Sequence, residues 1–431
     1  MAVLAQHYPN KTVTIVDFDQ AKLQFWAGAN VDWVEPGLGA LVGMVNNLGF
    51  SNQVEQVINQ SQVIFIWVEI PTKRGGLPGL DTTEWERAVR TIMQASATSK
   101  IVVEKSTMPV DMFNLTTRFL SQRPQAQVQQ NIQFAVFSNP ELSCPGQMLN
   151  DMQFPDQVII ARKSEVGDTD ILVEMYAQWV HPQRIIVLPN HLSAELGKII
   201  TSVMAGLKIT VINVIESYCE KVGANFNHVK QMLGRDYRFE DAFMESTLGI
   251  GGPDLLKDIV YCKDALQNVG LVTEAKLLSD IIRLDKKKRE HFVQLMLNNM
   301  STLAGKRVAV YGVTYKSNMA DLTNSPAVSV CKALQKERAI IRIYDPLRDE
   351  NAILNCFRNR VRVGVVADPQ QAYQGAHAIL FLVNTNLQHN FQQMRAAMVE
   401  PPFLFFACRL NVNYDALRLQ GFQVHVFGNQ E

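Results

Sequence analysis

Residues 13–17 read Val13-Thr14-Ile15-Val16-Asp17, four residues of strand character closed by a carboxylate, and the pattern they begin decides the fold. Outward from this stretch, Val63-Ile64-Phe65-Ile66, Ile101-Val102-Val103 and Phe134-Ala135-Val136-Phe137 repeat the short apolar run, with longer amphipathic stretches between them. Strands that alternate with helices build a parallel sheet, because each crossover must carry the chain back to the same end. Each run is apolar throughout rather than alternating, as expected for strands covered on both faces.

Between Ser193 and Gly223 the period changes: Leu196, Ile199, Ile200, Val203, Leu207, Val211, Val214 and Ile215 recur at spacings of three and four. This predicts a long buried helix, and Gly223 suits its C-cap. A second helical stretch runs from Glu274 to Met300, and at Gly305 the strand signal returns. Arg307-Val308-Ala309-Val310-Tyr311-Gly312, Ile340-Ile341-Arg342-Ile343-Tyr344-Asp345 and Ala378-Ile379-Leu380-Phe381-Leu382 are the strands of a second alternating unit. The chain therefore reads as α/β, with two Rossmann-like parallel-sheet domains joined by a long central helix and a helical middle domain. The expected boundaries are 1–190, 191–302 and 303–431.

A strand that ends on an acidic residue is how such a domain presents its second strand, the carboxylate accepting hydrogen bonds from a nucleotide ribose. Asp17 is that residue, although an aspartate after a strand is equally read as turn chemistry. The expected preceding strand and glycine-rich turn, whose amides would meet a pyrophosphate, are not in the sequence, and Met1 to His7 reads as the end of the helix that follows such a turn. In the 3-2-1-4-5-6 strand order the missing strand is central, so its neighbours are expected to carry unpaired backbone groups beside an open core. Two readings stand: an incomplete start, or a first domain that has abandoned dinucleotide binding.

Composition narrows the partners. Lys+Arg and Asp+Glu both count 41, so no global field attracts nucleic acid or a membrane surface. The basic run Lys286-Lys287-Lys288-Arg289 has no aromatic interleaving and reads as a solvated helix face. The six cysteines have no CxxC or metal spacing and read as free thiols in a reducing compartment, which makes the cytoplasm the expected location. No uninterrupted apolar run reaches the roughly eighteen residues of a membrane span.

Several ordered motifs carry a likeness. Glu35-Pro36-Gly37-Leu38, Pro71-Thr72, Glu104-Lys105-Ser106-Thr107-Met108-Pro109, Ser138-Asn139-Pro140-Glu141, Glu195-Leu196-Gly197-Lys198, Gly249-Ile250-Gly251-Gly252, Lys257-Asp258 and Tyr344-Asp345-Pro346 follow one another as in the UDP-glucose dehydrogenases, which the chain resembles from Lys11 to Gly428. The resemblance implies oxidation of the C6 alcohol of UDP-glucose to UDP-glucuronate with two NAD per turnover, through an aldehyde, a cysteine thiohemiacetal and a thioester. It implies that Lys198 assists proton transfer and steadies an oxyanion, and that Thr107, Glu141 and Asp258 position water and the lysine. By the same likeness Asp17, Lys22, Thr72 and Thr107 belong to the cofactor. Lys198, Arg238, Gly249, Gly251, Gly252, Lys316 and Arg409 belong to the nucleotide sugar. No metal is implied. Lys198 also admits a plainer reading, as a lysine snorkelling from the helix, and Glu141 and Asp258 as structural caps.

The pattern fails at its centre. Where the family places its nucleophilic cysteine, the sequence reads Pro253-Asp254, and Cys262 is about two helical turns further on. Around it, Ser202 stands for an asparagine, Glu245 for a lysine near the phosphates, Pro145 for a glutamate, Glu69-Ile70 for a polar pair, Thr323 for an arginine, and Phe406-Ala407-Cys408 for Asp-Gly-Arg. The expectation is a catalytically impaired or inactive relative, in which at most the first step, alcohol to aldehyde, survives. The alternative is a non-catalytic protein that binds a nucleotide sugar or assembles, as a homo-oligomer or with an active relative.

Overall fold

The computed structural model describes residues 1–28, 31–32, 34–71, 73, 80–107, 109–122, 131–162, 169–239 and 242–427. The chain divides into two compact units, Met1–Thr201 and Ser202–Glu431.

The first unit begins with α1 (Ala2–His7), β1 (Val13–Val16), α2 (Gln20–Ala27), α3 (Leu38–Met44), β2 (Leu48–Ser51), α4 (Val54–Gln60) and β3 (Val63–Ile66). It continues through α5 (Thr83–Ala95), β4 (Lys100–Glu104), α6 (Met112–Ser121), β5 (Phe134–Ser138), α7 (Met148–Gln153), β6 (Val158–Ala161), α8 (Thr169–Tyr176) and β7 (Ile185–Leu188) to the first turns of α9 (His191–Val222). β1 pairs in parallel with β2 alone, while β3-β4-β5-β6-β7 form a separate sheet, parallel except at the β5–β6 bridge of Ser138 with Ala161. α4 packs on β1 and on α5, so the crossover from β2 passes over β1 and delivers β3 on its far side. The break therefore falls between β1 and β3, where the strand order leaves a place for a central strand.

The expectation of strands covered on both faces holds for β4, buried along its length, and fails for β1 and β3, each with one buried residue of four. The reason is the break. The amides of Ile101 and Lys105 bond the carbonyls of Gln62 and Ile66, so Val63 and Phe65 turn their backbone groups to the opposite edge, which has no strand among the described residues. The two sheets still share a core, since Val16 packs with Ile64, Ile66, Val54 and Ile58.

In the second unit the rest of α9 is followed by α10 (Phe226–Arg235), α11 (Leu255–Asn268) and α12 (Val272–Met300). Then come β8 (Arg307–Tyr311), α13 (Pro326–Lys336), β9 (Ile340–Tyr344), α14 (Glu350–Asn355), β10 (Val363–Val365), α15 (Pro369–Tyr373), β11 (Ala378–Phe381), α16 (Phe391–Ala397), β12 (Phe403–Phe406), α17 (Tyr414–Leu419) and β13 (Gln423–Val426). Its sheet is continuous and parallel in the order β10-β9-β8-β11-β12-β13, the complete doubly wound arrangement. Val308, Ala309, Val310 and Tyr311 of the central β8 are sealed from solvent, and Phe292 and Met296 of α12 join the core on one face.

α9 departs from the expected buried helix. Ile199 and Val203 are buried, but Leu196, Ile200, Val211 and Val214 are exposed, because apolar residues on opposite sides of one helix cannot all face one core. By length and composition α9 could also cross a bilayer, yet half of its most apolar stretch is buried in the protein. It ends where expected: Gly223 takes φ of 73° and the Ala224 amide bonds the Cys219 carbonyl at 3.0 Å, a Schellman closure.

Candidate functional site

At the carboxyl ends of the first unit's strands, Asp17 follows β1 and accepts the Asp19 amide at 2.8 Å. Asp19 in turn caps α2 through the Ala21 and Lys22 amides. Asp17 thus shapes its own turn while standing half-buried at the strand end, and the exposed Lys22 lies one turn into α2. Thr72 lies outside the described residues. Thr107 is half-buried beyond β4. Beside it the Ser106 hydroxyl donates to the Val68 carbonyl at 2.8 Å and accepts the Val68 amide at 2.7 Å, tying the ends of β3 and β4 together.

Glu141 is paired with Lys105 at 3.3 Å and accepts the Ser143 amide at 2.9 Å. Burial alone would raise the Glu141 carboxyl, but the Lys105 ammonium and the Ser143 bonds outweigh it and hold the pKa below the usual range. Burial likewise opposes the Lys105 ammonium, and the oxygens of Tyr176 and Glu141 raise it nonetheless. Glu141 is therefore engaged by a cation that sequence reasoning quoted within a motif but gave no role. The signal was present: a lysine at the end of a strand apolar on both faces needs a counter-ion. Lys198 stands half-buried in the opening turns of α9.

The second unit holds the remaining residues. Asp254 precedes the first turn of α11 and makes no side-chain cap bond; its carboxylate meets Lys257 at 3.3 Å. The same ammonium reaches the buried Asp258 at 3.8 Å, so one cation is shared between the residue at the nucleophile position and the retained aspartate. Cys262, on the next turns of α11, is buried, and burial with the nearby Asp258 pushes its thiol pKa up, which removes it as a substitute nucleophile. Burial likewise pushes the Cys408 thiol up to about 12.

The glycine loop is clamped by protein on both sides. Gly249 has φ of 133°, and a Cβ there would meet Asp285 and lie 2.7 Å from Arg289 Nη1. Asp285 accepts the Ile250 amide at 2.6 Å and is paired with Arg289 at 2.7 Å. A Cβ on Gly251 or Gly252 would meet the Tyr315 side chain at 2.8 or 2.9 Å, and the Gly252 amide bonds the Thr323 carbonyl at 3.0 Å. The glycines are thus explained by these packing contacts, in addition to the approach of a sugar that the sequence suggests.

Arg238 is exposed and forked onto Asp236, with Nη2 to Oδ2 at 2.5 Å. Lys316 and Arg409 are exposed at the second sheet's crest, where Asp345, after β9, accepts the Val313 amide at 2.7 Å and fixes the turn after β8. Glu245, which stands for a lysine near the phosphates, is paired with Lys230 at 2.5 Å.

Comparison with known proteins accounts for the whole order of elements. The sequence model of the UDP-glucose/GDP-mannose dehydrogenase family, NAD binding domain, matches residues 1–180; that of the central domain matches 192–287, and that of the UDP binding domain 309–411. UDP-glucose 6-dehydrogenase 2 of Oryza sativa subsp. japonica is 33% identical, over 99% of this chain and 94% of the relative. The chain belongs to the UDP-glucose/GDP-mannose dehydrogenase family. UDP-glucose 6-dehydrogenase of Caenorhabditis elegans is 31% identical over 99% of this chain and 92% of its own length. A UDP-glucose dehydrogenase from Pyrobaculum islandicum shares the fold, with a TM-score of 0.84 at 22% identity over 100% of this chain and 95% of that one.

Family membership brings NAD as the cofactor of the first domain and a nucleotide sugar as the ligand of the UDP binding domain. Among the described residues, the first unit fits that cofactor at its ends. Asp17 and Thr107 stand at strand ends, where a dinucleotide lies across such a sheet. Between them, β1 and β3 leave the central place unfilled, and no glycine-rich turn opens a helix there among the described residues.

Proposed function

We propose that this chain keeps the nucleotide-sugar framework of its family and does not carry the oxidation of UDP-glucose through to UDP-glucuronate. The observation that carries this reading is Asp254, at the position of the family's cysteine and bonded to Lys257. A thiolate adds to an aldehyde, gives an adduct that can lose hydride, and leaves well from a thioester. A carboxylate adds only to give an unstable hemiacylal, and the charge of the free carboxylate repels the oxyanion that forms beside it. Lys257 offsets part of that charge but is itself held by two carboxylates. NAD, when bound, would accept the hydride; Lys198 would assist transfer of the alcohol proton and steady the developing negative oxygen. That leaves alcohol-to-aldehyde conversion as the remaining step open to this chain.

A second reading, assembly with an active relative or with itself, is favoured by α9, where Met204, Tyr218 and Val222 are each more than half exposed and Leu196, Ile200, Val211 and Val214 are exposed to a lesser degree. The six free cysteines support a reducing, cytoplasmic setting for either role.

The test is incubation of purified Asp254→Cys protein with UDP-glucose and NAD, products being resolved by mass spectrometry. Gain of UDP-glucuronate by the variant alone supports the reading. An equally silent variant that co-purifies with an active dehydrogenase subunit transfers support to assembly.

A further inference from the structure

Glu195 is buried one helical turn before Lys198 on α9, and both of its oxygens are committed to another element: Oε2 accepts the Asp111 amide at 2.7 Å and Oε1 the Phe113 amide at 2.9 Å. These are the opening amides of α6, which an N-cap side chain ordinarily satisfies. Asp111 holds the cap position but is left-handed, with φ of 76°, and makes no cap bond; its carboxylate receives the Asn114 amide group instead. Helix α6 is thus capped from α9. The His191 ring, at the start of α9, stacks on Phe113 with centroids 4.4 Å apart, which adds a second contact between the same two segments.

We propose that Glu195 is a positioning residue, clipping the turns of α9 that carry Lys198 to the segment running from Thr107 into α6, so that the ammonium and the hydroxyl hold one relative placement. The proposal rests on the reading of Lys198 and Thr107 as site residues. Neither residue need turn over substrate for the clip to be observed.

The titratable groups facing Glu195 are Glu104 of β4 and Asp111 before α6, and His191 of α9 stands 4.0 Å from the Asp111 carboxylate. Burial pushes the Glu195 carboxyl up to about 7, against the two amide bonds and with added repulsion from Asp111. Protonation costs the acceptor its charge and weakens both bonds. The clip therefore loosens as pH falls through neutrality and tightens above it.

The test uses the whole chain with its lysines reductively ¹³C-methylated, the Lys198 resonance being assigned by its loss in Lys198→Arg. The expected result is a step in the Lys198 methyl shift near neutral pH, which persists in Glu104→Gln and vanishes in Glu195→Gln. In the unmodified protein the Asp111 and Phe113 amides, corrected for intrinsic rate, exchange about tenfold faster on the acid side of the step. A step that survives Glu195→Gln overturns the proposal, as does amide protection that ignores pH. Neither readout depends on turnover, so failure of the clip is distinct from failure of the proposed function.

Discussion

The sheets of the two units follow the same winding rule and differ at the centre, which is filled in the second unit and has no strand among the described residues of the first. In the second unit β8 fills the centre, and its residues 308–311 are sealed by strands on both edges and helices on both faces. In the first unit the corresponding place lies between β1 and β3, and those strands are mostly half-exposed. A central parallel strand closes two hydrogen-bond ladders and two apolar faces at once, so an unfilled central place is felt by both neighbours. The difference also falls on function: the affected crest is the one that holds NAD in the family, while the crest of the UDP binding domain is framed by an unbroken sheet.

The comparison breaks most readily on unfolding. All 5 tryptophans lie in the first unit, so their fluorescence reports it alone. The tryptophan transition is expected at lower urea than the loss of far-UV circular dichroism; coincident curves would show a single cooperative block and undo the contrast. Leu380→Ala, in the sealed β11, is expected to cost about 3–4 kcal/mol, against roughly 1–2 for Ile64→Ala on the half-exposed β3, both read from urea midpoints.

Protonation sharpens the contrast further. Burial pushes the Glu104 carboxyl from 4.5 up to about 8, with Thr116 donating to it and Glu195 adding repulsion. The folded state then binds more protons than the unfolded one between these values, so this contribution is fully present below pH 4.5 and is lost as pH rises to 8. The tryptophan midpoint should fall across that range, and Glu104→Gln should flatten the fall, recovering roughly 2–4 kcal/mol at pH 8. A slope unchanged in the variant would assign the dependence elsewhere. Gly249→Ala should cost about 2 kcal/mol, through positive φ and collision with Asp285, in a thermal scan. Gly223→Ala, strained but in open space, should cost only about 1.

Much of this was legible in the sequence. The apolar runs from Val13 to Phe137 and from Arg307 to Leu382 are strands because an unbroken β-branched run has no other stable place to go. The interrupted sheet followed from strand order alone. What stayed hidden depends on partners distant in sequence. Lys105 meets Glu141 and Lys230 meets Glu245 only once the chain is folded, and Glu195 caps a helix more than eighty residues away. The Asp236 partner of Arg238, only two residues earlier, likewise shows itself only in the fold. The outward half of α9 was misread because periodicity reports apolar positions without saying which of them a single core can cover.

The central claim is that Asp254 stops the family's oxidation short of the acid. Its most direct test is the stoichiometry of the unmodified protein supplied with UDP-glucose and excess NAD. The account predicts no UDP-glucuronate, with either no NADH or one NADH per aldehyde formed. Two NADH for each UDP-glucuronate produced would contradict it.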